Sequence, residues 1–244
     1  MLLILMYHRV LDRERVPQAL RRHLSYLVDH HPLVWPGDPL PRGELSVCLT
    51  FDDATLDFSH LVYPLLEQLN AKALVAVPTG YIEADTQVPL AERLVAQERM
   101  AMNGDYGISG SPLCTWKELQ ALEASGRVRC ASHSHSHGDL TGAEVDLARE
   151  VTGSRQLLTH ELGSIPDSLV FPYGRTNPQV TRRVLADYRY ALRVGSALNR
   201  DWNANGGLLY RVDADHFWPQ GGVWSWTDQV GYRLKYLANR LRGR

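Results

Sequence analysis

Strand-like apolar runs alternate with helical patterns along most of the chain. The runs are Leu3–Tyr7, Val47–Phe51, Lys72–Val77, Val128–Ala131, Ser168–Phe171, Tyr188–Val194 and Leu208–Val212. Helical periodicity lies between them, near Gln18–His30, near Asp57–Asn70 and near Leu90–Met102. In the second of these, Val62, Leu65, Leu66 and Leu69 keep the i, i+3, i+4, i+7 spacing of a one-sided apolar stripe. Thr115-Trp116-Lys117-Glu118 and Thr141-Gly142-Ala143-Glu144 both have the form of a capping box, and Leu147, Val151 and Leu158 follow the second on one helical face. Strand and helix in repeated alternation predict a parallel α/β sheet, and roughly seven such units suit a distorted (β/α)7-type barrel.

Composition narrows this picture. The 244 residues, 44% of them hydrophobic, suffice for one sizeable core, and no Pro/Gly/Ser-rich linker divides them, so residues 1–244 read as a single domain. With 26 basic and 27 acidic residues the formal net charge is −1, which gives no global basic field to attract nucleic acid. Cys48, Cys114 and Cys130 lack the paired spacing of a structural zinc site and read as reduced core thiols. The apolar start, Met1 to Tyr7, has no basic n-region or small-residue cleavage site and is too short to span a bilayer, so the expectation is a buried first strand in a cytoplasmic protein.

The chemistry gathers at strand ends. Ala131 to Leu140 carries His133, His135 and His137, Asp52-Asp53 follows the second run, Pro172-Tyr173-Gly174 follows the fifth, and His8 follows the first. Strand C-terminal ends are where a barrel brings its reactive groups together. Two imidazoles and a carboxylate suit a borderline divalent cation such as Zn²⁺, and three protein ligands leave a position open for water, the arrangement of a hydrolytic metal site.

These residues resemble the polysaccharide deacetylase family, the NodB-homology hydrolases of carbohydrate esterase family 4, which remove N- or O-acetyl groups from sugars. The resemblance extends over nearly the whole chain and rests on Thr50-Phe51-Asp52-Asp53, on His133-x-x-x-His137 followed by Asp139-Leu140, and on Phe171-Pro172-Tyr173-Gly174. It implies that Asp53, His133 and His137 hold the metal, most plausibly Zn²⁺ with Co²⁺, Ni²⁺ or Fe²⁺ as alternatives, and that Asp52 is the general base. It gives the backbone amide at Tyr173 to the oxyanion. The usual C-terminal Leu-x-x-His is missing. Met6-Tyr7-His8-Arg9-Val10 instead resembles the permuted arrangement of deacetylases acting on poly-β-1,6-N-acetylglucosamine, which makes His8 the acid, with His216 a weaker rival. Asp213 or Asp215 would orient His8. One departure stands out: the family's Arg-x-Pro-Tyr motif has Val170 at the arginine position, leaving Arg175 or Arg211 to pair with Asp52.

Three further features complete the expectations. Glu83–Pro112 is a long segment that could cover a sugar cleft. Trp202, Trp218, Trp224 and Trp226 could stack on sugar rings, although large aromatics more often anchor a core. Trp226–Arg244 has the pattern of a terminal helix packed on the barrel. The leading function is metal-dependent removal of N-acetyl groups from an amino sugar in a surface polysaccharide or its precursor. The alternatives are a deacylase or deformylase of a nucleotide- or lipid-linked sugar and a catalytically silent glycan-binding homologue.

Overall fold

Seven parallel strands pair in sequence order and close into a barrel. They are β1 (Leu2–Tyr7), β2 (Ser46–Phe51), β3 (Ala73–Val77), β4 (Val128–Ser132), β5 (Ser168–Val170), β6 (Tyr190–Val194) and β7 (Leu208–Asp213), and β7 meets β1 through Leu5 opposite Val212 and Met6 opposite Asp213. The computed structural model describes residues 1–8, 10, 16–215, 218, 230–232, 234 and 235. Parallel neighbours cannot be joined by tight turns, so each crossover leaves the sheet. The helices α1 (Val16–His30), α2 (Tyr63–Gln68), α3 (Leu90–Asn103), α4 (Trp116–Ala124), α5 (Ser154–Leu162) and α6 (Pro178–Asp187) lie on these excursions. The expected distorted barrel is the fold that forms.

Strand alternation divides the core into two layers. Leu3, Leu5, Tyr7, Val47, Leu49, Phe51, Val75 and Val77 face outward against Leu20, Leu24, Leu66 and Leu119 of the helical sheath. Leu2, Ile4, Cys48, Leu74, Ala76, Val170, Leu192 and Leu209 fill the barrel interior. Both faces of most strands are therefore dry, with Arg129 of β4 an exposed exception, which explains the largely unbroken apolar runs. Parity also fixes which later positions point inward: Thr50 and Asp52 continue the face of Cys48, and Arg211 continues the face of Leu209.

Local sequence sets most element ends. Thr115 caps α4 as a full capping box, its hydroxyl accepting from Glu118 N while Glu118 Oε2 accepts from Thr115 N. The stretch read as one helix near Asp57–Asn70 is instead a π-helical turn, Phe58–Val62, running into α2. The second capping-box pattern does not cap. Thr141 N–H and hydroxyl both donate to Asp139 Oδ1, and Asp146 Oδ1 accepts from Ala148 N and Arg149 N ahead of a π-helical turn at Ala148–Gly153. Asp139 lies two residues before Thr141 and captures its donors in an Asx turn, leaving the helix start to Asp146. Most of Trp226–Arg244, together with His216, Trp224 and Trp226, lies outside the described residues. Among the described residues no helix is long and apolar enough to cross a membrane.

Candidate active site

A cleft of about 410 Å³ opens at the C-terminal rim of the barrel, with His8, Asp52, Asp53, His133, His137, Tyr173, Arg211 and Asp213 in its lining. Five strand ends supply these groups. β2 delivers Asp52 and then Asp53, whose backbone turns into the left-handed region at φ 71°, with Ala54 following at φ 49°. Such backbone costs of order 1 kcal/mol or more per residue. It separates two consecutive carboxylates that an extended strand would point to opposite faces anyway.

Asp53 is buried, and its Oδ1 lies 3.2 Å from His137 Nε2 and 3.5 Å from His133 Nε2. One ligand atom from each of the three residues falls within 4.8 Å of the others. His133 Nδ1 donates to Val170 O at 2.8 Å, which fixes the tautomer and leaves the Nε2 lone pair for a ligand. Burial lowers the His133 pKa to about 4, so the ring is neutral. Burial pushes the Asp53 carboxyl upward, but the imidazoles of His137 and His8 beside it overcome this and hold the group well below the usual carboxylate range. Asp53 Oδ1 has no geometrically sound hydrogen bond despite its burial. A buried anionic oxygen without a donor, facing two imidazole nitrogens, fits a divalent cation.

Asp52 points into the barrel interior, where Arg211 of β7 clamps it with Nη1 on Oδ1 at 2.6 Å and Nη2 on Oδ2 at 2.9 Å. Arg211 Nη1 also donates to Thr50 Oγ1, whose own hydroxyl donates to Leu5 O. Arg175, the other candidate, pairs with Asp139 on the surface. Positions 170 and 211 both face the barrel interior, so a guanidinium from β7 can serve where β5 carries valine.

His8 Nε2 lies 3.0 Å from Asp53 Oδ2, and this hydrogen bond, opposed by burial, raises the His8 pKa to about 9. Asp215 Oδ2 accepts from the His8 backbone N–H, while Asp215 Oδ1 accepts from Trp218 Nε1. Asp213 lines the cleft and accepts from Asp215 N. The two acids thus form one loop brace at the seam of β1 and β7. Tyr173 has φ 57° in the turn after β5, and its ring is 63% exposed at the cleft mouth.

Several expectations are redirected. His135 does not join the triad, since its backbone N–H is held by Glu150 and its Nδ1 lies against Thr79 Oγ1. Trp202 and Trp218 are buried, with Trp202 Nε1 bonded to Asp38 O, so among the described residues the phenylalanine and tyrosine rings lining the cleft are Phe171, Tyr173 and Tyr106. Two contributors were not anticipated. Tyr106, beyond α3, places its hydroxyl 3.3 Å from His137 Nε2 and its ring 4.3 Å from the His137 ring. Burial and then the Asp53 charge push its pKa up. Glu150, buried on the π-helical turn, accepts from His135 N, Ser136 N and Ser136 Oγ, and so holds the loop between the two histidines. A sequence signal for it exists: Glu150 sits on the same helical face as Leu147, Val151 and Leu158.

The sequence profile of the polysaccharide deacetylase family matches residues 40–192. This chain belongs to the polysaccharide deacetylase family. A stretch of 104 residues is 33% identical to the poly-beta-1,6-N-acetyl-D-glucosamine N-deacetylase of Escherichia coli K12, covering 41% of this chain but only 13% of that protein. The fold is shared with the Streptococcus pyogenes deacetylase PplD, at TM-score 0.69 and 22% identity over 90% of this chain and 95% of that one. It is shared as well with IcaB from Ammonifex degensii, at TM-score 0.67 and 21% identity over 90% and 94% of the two chains. The deacetylase domain of BpsB from Bordetella bronchiseptica gives TM-score 0.64 and 22% identity over 87% and 96%. His8 and Arg211 both fall outside the stretch that the family profile matches.

Proposed function

We propose that this chain is a metal-dependent N-deacetylase acting on an amino sugar of a surface polysaccharide or its precursor. The observation that carries the reading is the buried Asp53, His133 and His137 donor group, set beside a carboxylate clamped by Arg211 and beside the imidazole of His8. The matched stretch of the E. coli enzyme, named for N-deacetylation of poly-beta-1,6-N-acetyl-D-glucosamine, supports the substrate class. Asp53, His133 and His137 would hold the metal, which supplies Lewis acidity that activates water and polarises the acyl oxygen.

The remaining steps belong to the chain. Arg211 fixes the Asp52 carboxylate in one orientation, and each oxygen keeps a second lone pair from which Asp52 can take a proton from the attacking water. The acyl oxygen, gaining negative charge as the carbonyl becomes tetrahedral, needs a fixed donor, the role assigned to the Tyr173 backbone N–H. Collapse expels an amine, which requires a proton. His8, whose Nε2 lies 3.0 Å from Asp53 Oδ2 at the same rim, is the group assigned to supply it. A binding module needs neither a clamped base nor a protonated acid at the same rim, which weighs against the silent reading. The test is acetate release from a panel of N-acetylated sugars and oligosaccharides by chelator-treated protein, with and without added Zn²⁺ or Co²⁺. Metal-dependent release is the expected result, and metal binding without release from any sugar would count against it.

A further inference from the structure

Residues 83–112 leave the barrel between β3 and α4 and return carrying one side of the cleft. This segment is pinned rather than loose. Buried Arg93 of α3 donates to Ser111 O and Leu113 O and forms a two-pronged ion pair with Glu118 of α4, while Gln97 Oε1 accepts from Asp57 N. The cleft wall it presents is made of Gln97, Met100, Ala101, Gly104 and Tyr106. Methionine, alanine and glycine side chains offer no hydrogen bond, and the Gln97 oxygen is already engaged. The wall therefore presents one hydroxyl, that of Tyr106, and presents it beside the donor triad.

The position of that hydroxyl is fixed from several sides. The Tyr106 ring packs on His137 at 4.3 Å and on Tyr81 at 5.5 Å, and Tyr81 is itself tied to the histidine loop by its hydroxyl donating to Ser136 O. Tyr173 approaches the same His137 ring at 5.1 Å in an edge-on arrangement. His137 thus lies between two tyrosines that line the cleft, Tyr106 from the inserted segment and Tyr173 from the turn after β5. The Tyr106 hydroxyl makes a long 3.3 Å contact to His137 Nε2 and also reaches the Asp53 carboxylate, both of them groups of the donor triad, so the phenol is placed toward the reaction centre rather than spent on scaffold.

We propose that the Tyr106 hydroxyl is a catalytic group of this site, donating a hydrogen bond to the acyl oxygen of the amide being hydrolysed and sharing that oxygen with the Tyr173 backbone N–H. The inference rests on the deacetylase reading. A phenol hydroxyl is a hydrogen-bond donor, and the ring contacts to His137 and Tyr81 hold this one beside the reaction centre. A donor aimed where charge develops gains strength in the transition state and so acts on kcat more than on KM.

The test compares wild type with Tyr106→Phe, which removes one oxygen and keeps both ring contacts. Three measurements are needed on the full chain: kcat and KM for acetate release, Zn²⁺ affinity, and binding of acetate itself to the zinc-loaded protein by calorimetry. The expected result is a loss on the order of 10²-fold in kcat with KM nearly unchanged, acetate binding about tenfold weaker, and Zn²⁺ affinity within about twofold of wild type. Unchanged kcat and acetate affinity would overturn the proposal. So would a tenfold loss of Zn²⁺ affinity, which would make Tyr106 a metal ligand instead. Wild type that releases no acetate from any sugar would count against the deacetylase reading, and the acetate titration would still decide Tyr106.

Discussion

Asp52 is 7% exposed and has both oxygens in the grip of one guanidinium, which sets its direction. Replacing it with Asn keeps the shape and removes the proton acceptor. Asp52→Asn should lower acetate release on the order of 10²–10⁴-fold and leave Zn²⁺ stoichiometry unchanged, to be read by steady-state kinetics beside metal analysis. The partner behaves differently. Arg211→Met strands a buried carboxylate and should destabilise the protein by about 3–5 kcal/mol in chemical denaturation. Arg211→Lys restores the charge without the two-pronged geometry, so it should recover stability more fully than turnover. A Lys variant with full activity would show that charge alone suffices.

The strand ends place single residues, and the segments after them decide whether those residues are held. The loop from Ser132 to Gly138 turns through left-handed backbone at Ser134 and His137, and Glu150 offsets that strain with three hydrogen bonds from the loop. Glu150→Gln, which keeps the volume but sets an amide against backbone N–H groups, should weaken Zn²⁺ binding about 10–100-fold with a near-native circular dichroism spectrum. Unaltered metal affinity would reduce Glu150 to a packing role. At this scale the sequence was legible where a run is dry on both faces, as in Ser46–Phe51, and where a motif sits at the end of such a run, as in Asp52-Asp53 and His133 to His137. It was not legible where a polar side chain hides on an apolar face. Arg93 and Gln97 of α3 are buried, yet the sequence shows them as ordinary members of a mixed helix. Arg211 could be named only as one of two options, because its partner is 159 residues away and pairing through a barrel interior has no local signature. The Thr141 capping pattern misled because Asp139, two residues earlier, competes for the same donors.

The whole molecule contains a donor group drawn from two strand ends and held at the rim of a closed barrel, so metal occupancy and global stability are linked. A cation that binds the folded chain alone adds RT ln(1 + [M]/Kd), about 2.7 kcal/mol at a hundredfold excess over Kd. Zn²⁺ should therefore raise the melting temperature of wild type, a chelator should reverse the rise, and His133→Ala should show neither the shift nor the activity. An equal shift in His133→Ala would place the stabilising ion elsewhere. Barrel closure has a temporal side as well. Asp52 is made early, on the second strand, while the guanidinium that clamps it arrives on the seventh, across the seam that β1 shares with β7. The three metal donors lie between residues 53 and 137 and are all synthesised before Arg211, so the proton acceptor stays unclamped until β7 docks. Arming the base and shutting the barrel are one event, so a chain clipped before β7 keeps every metal donor in its sequence but loses both the seam and the clamp on its base.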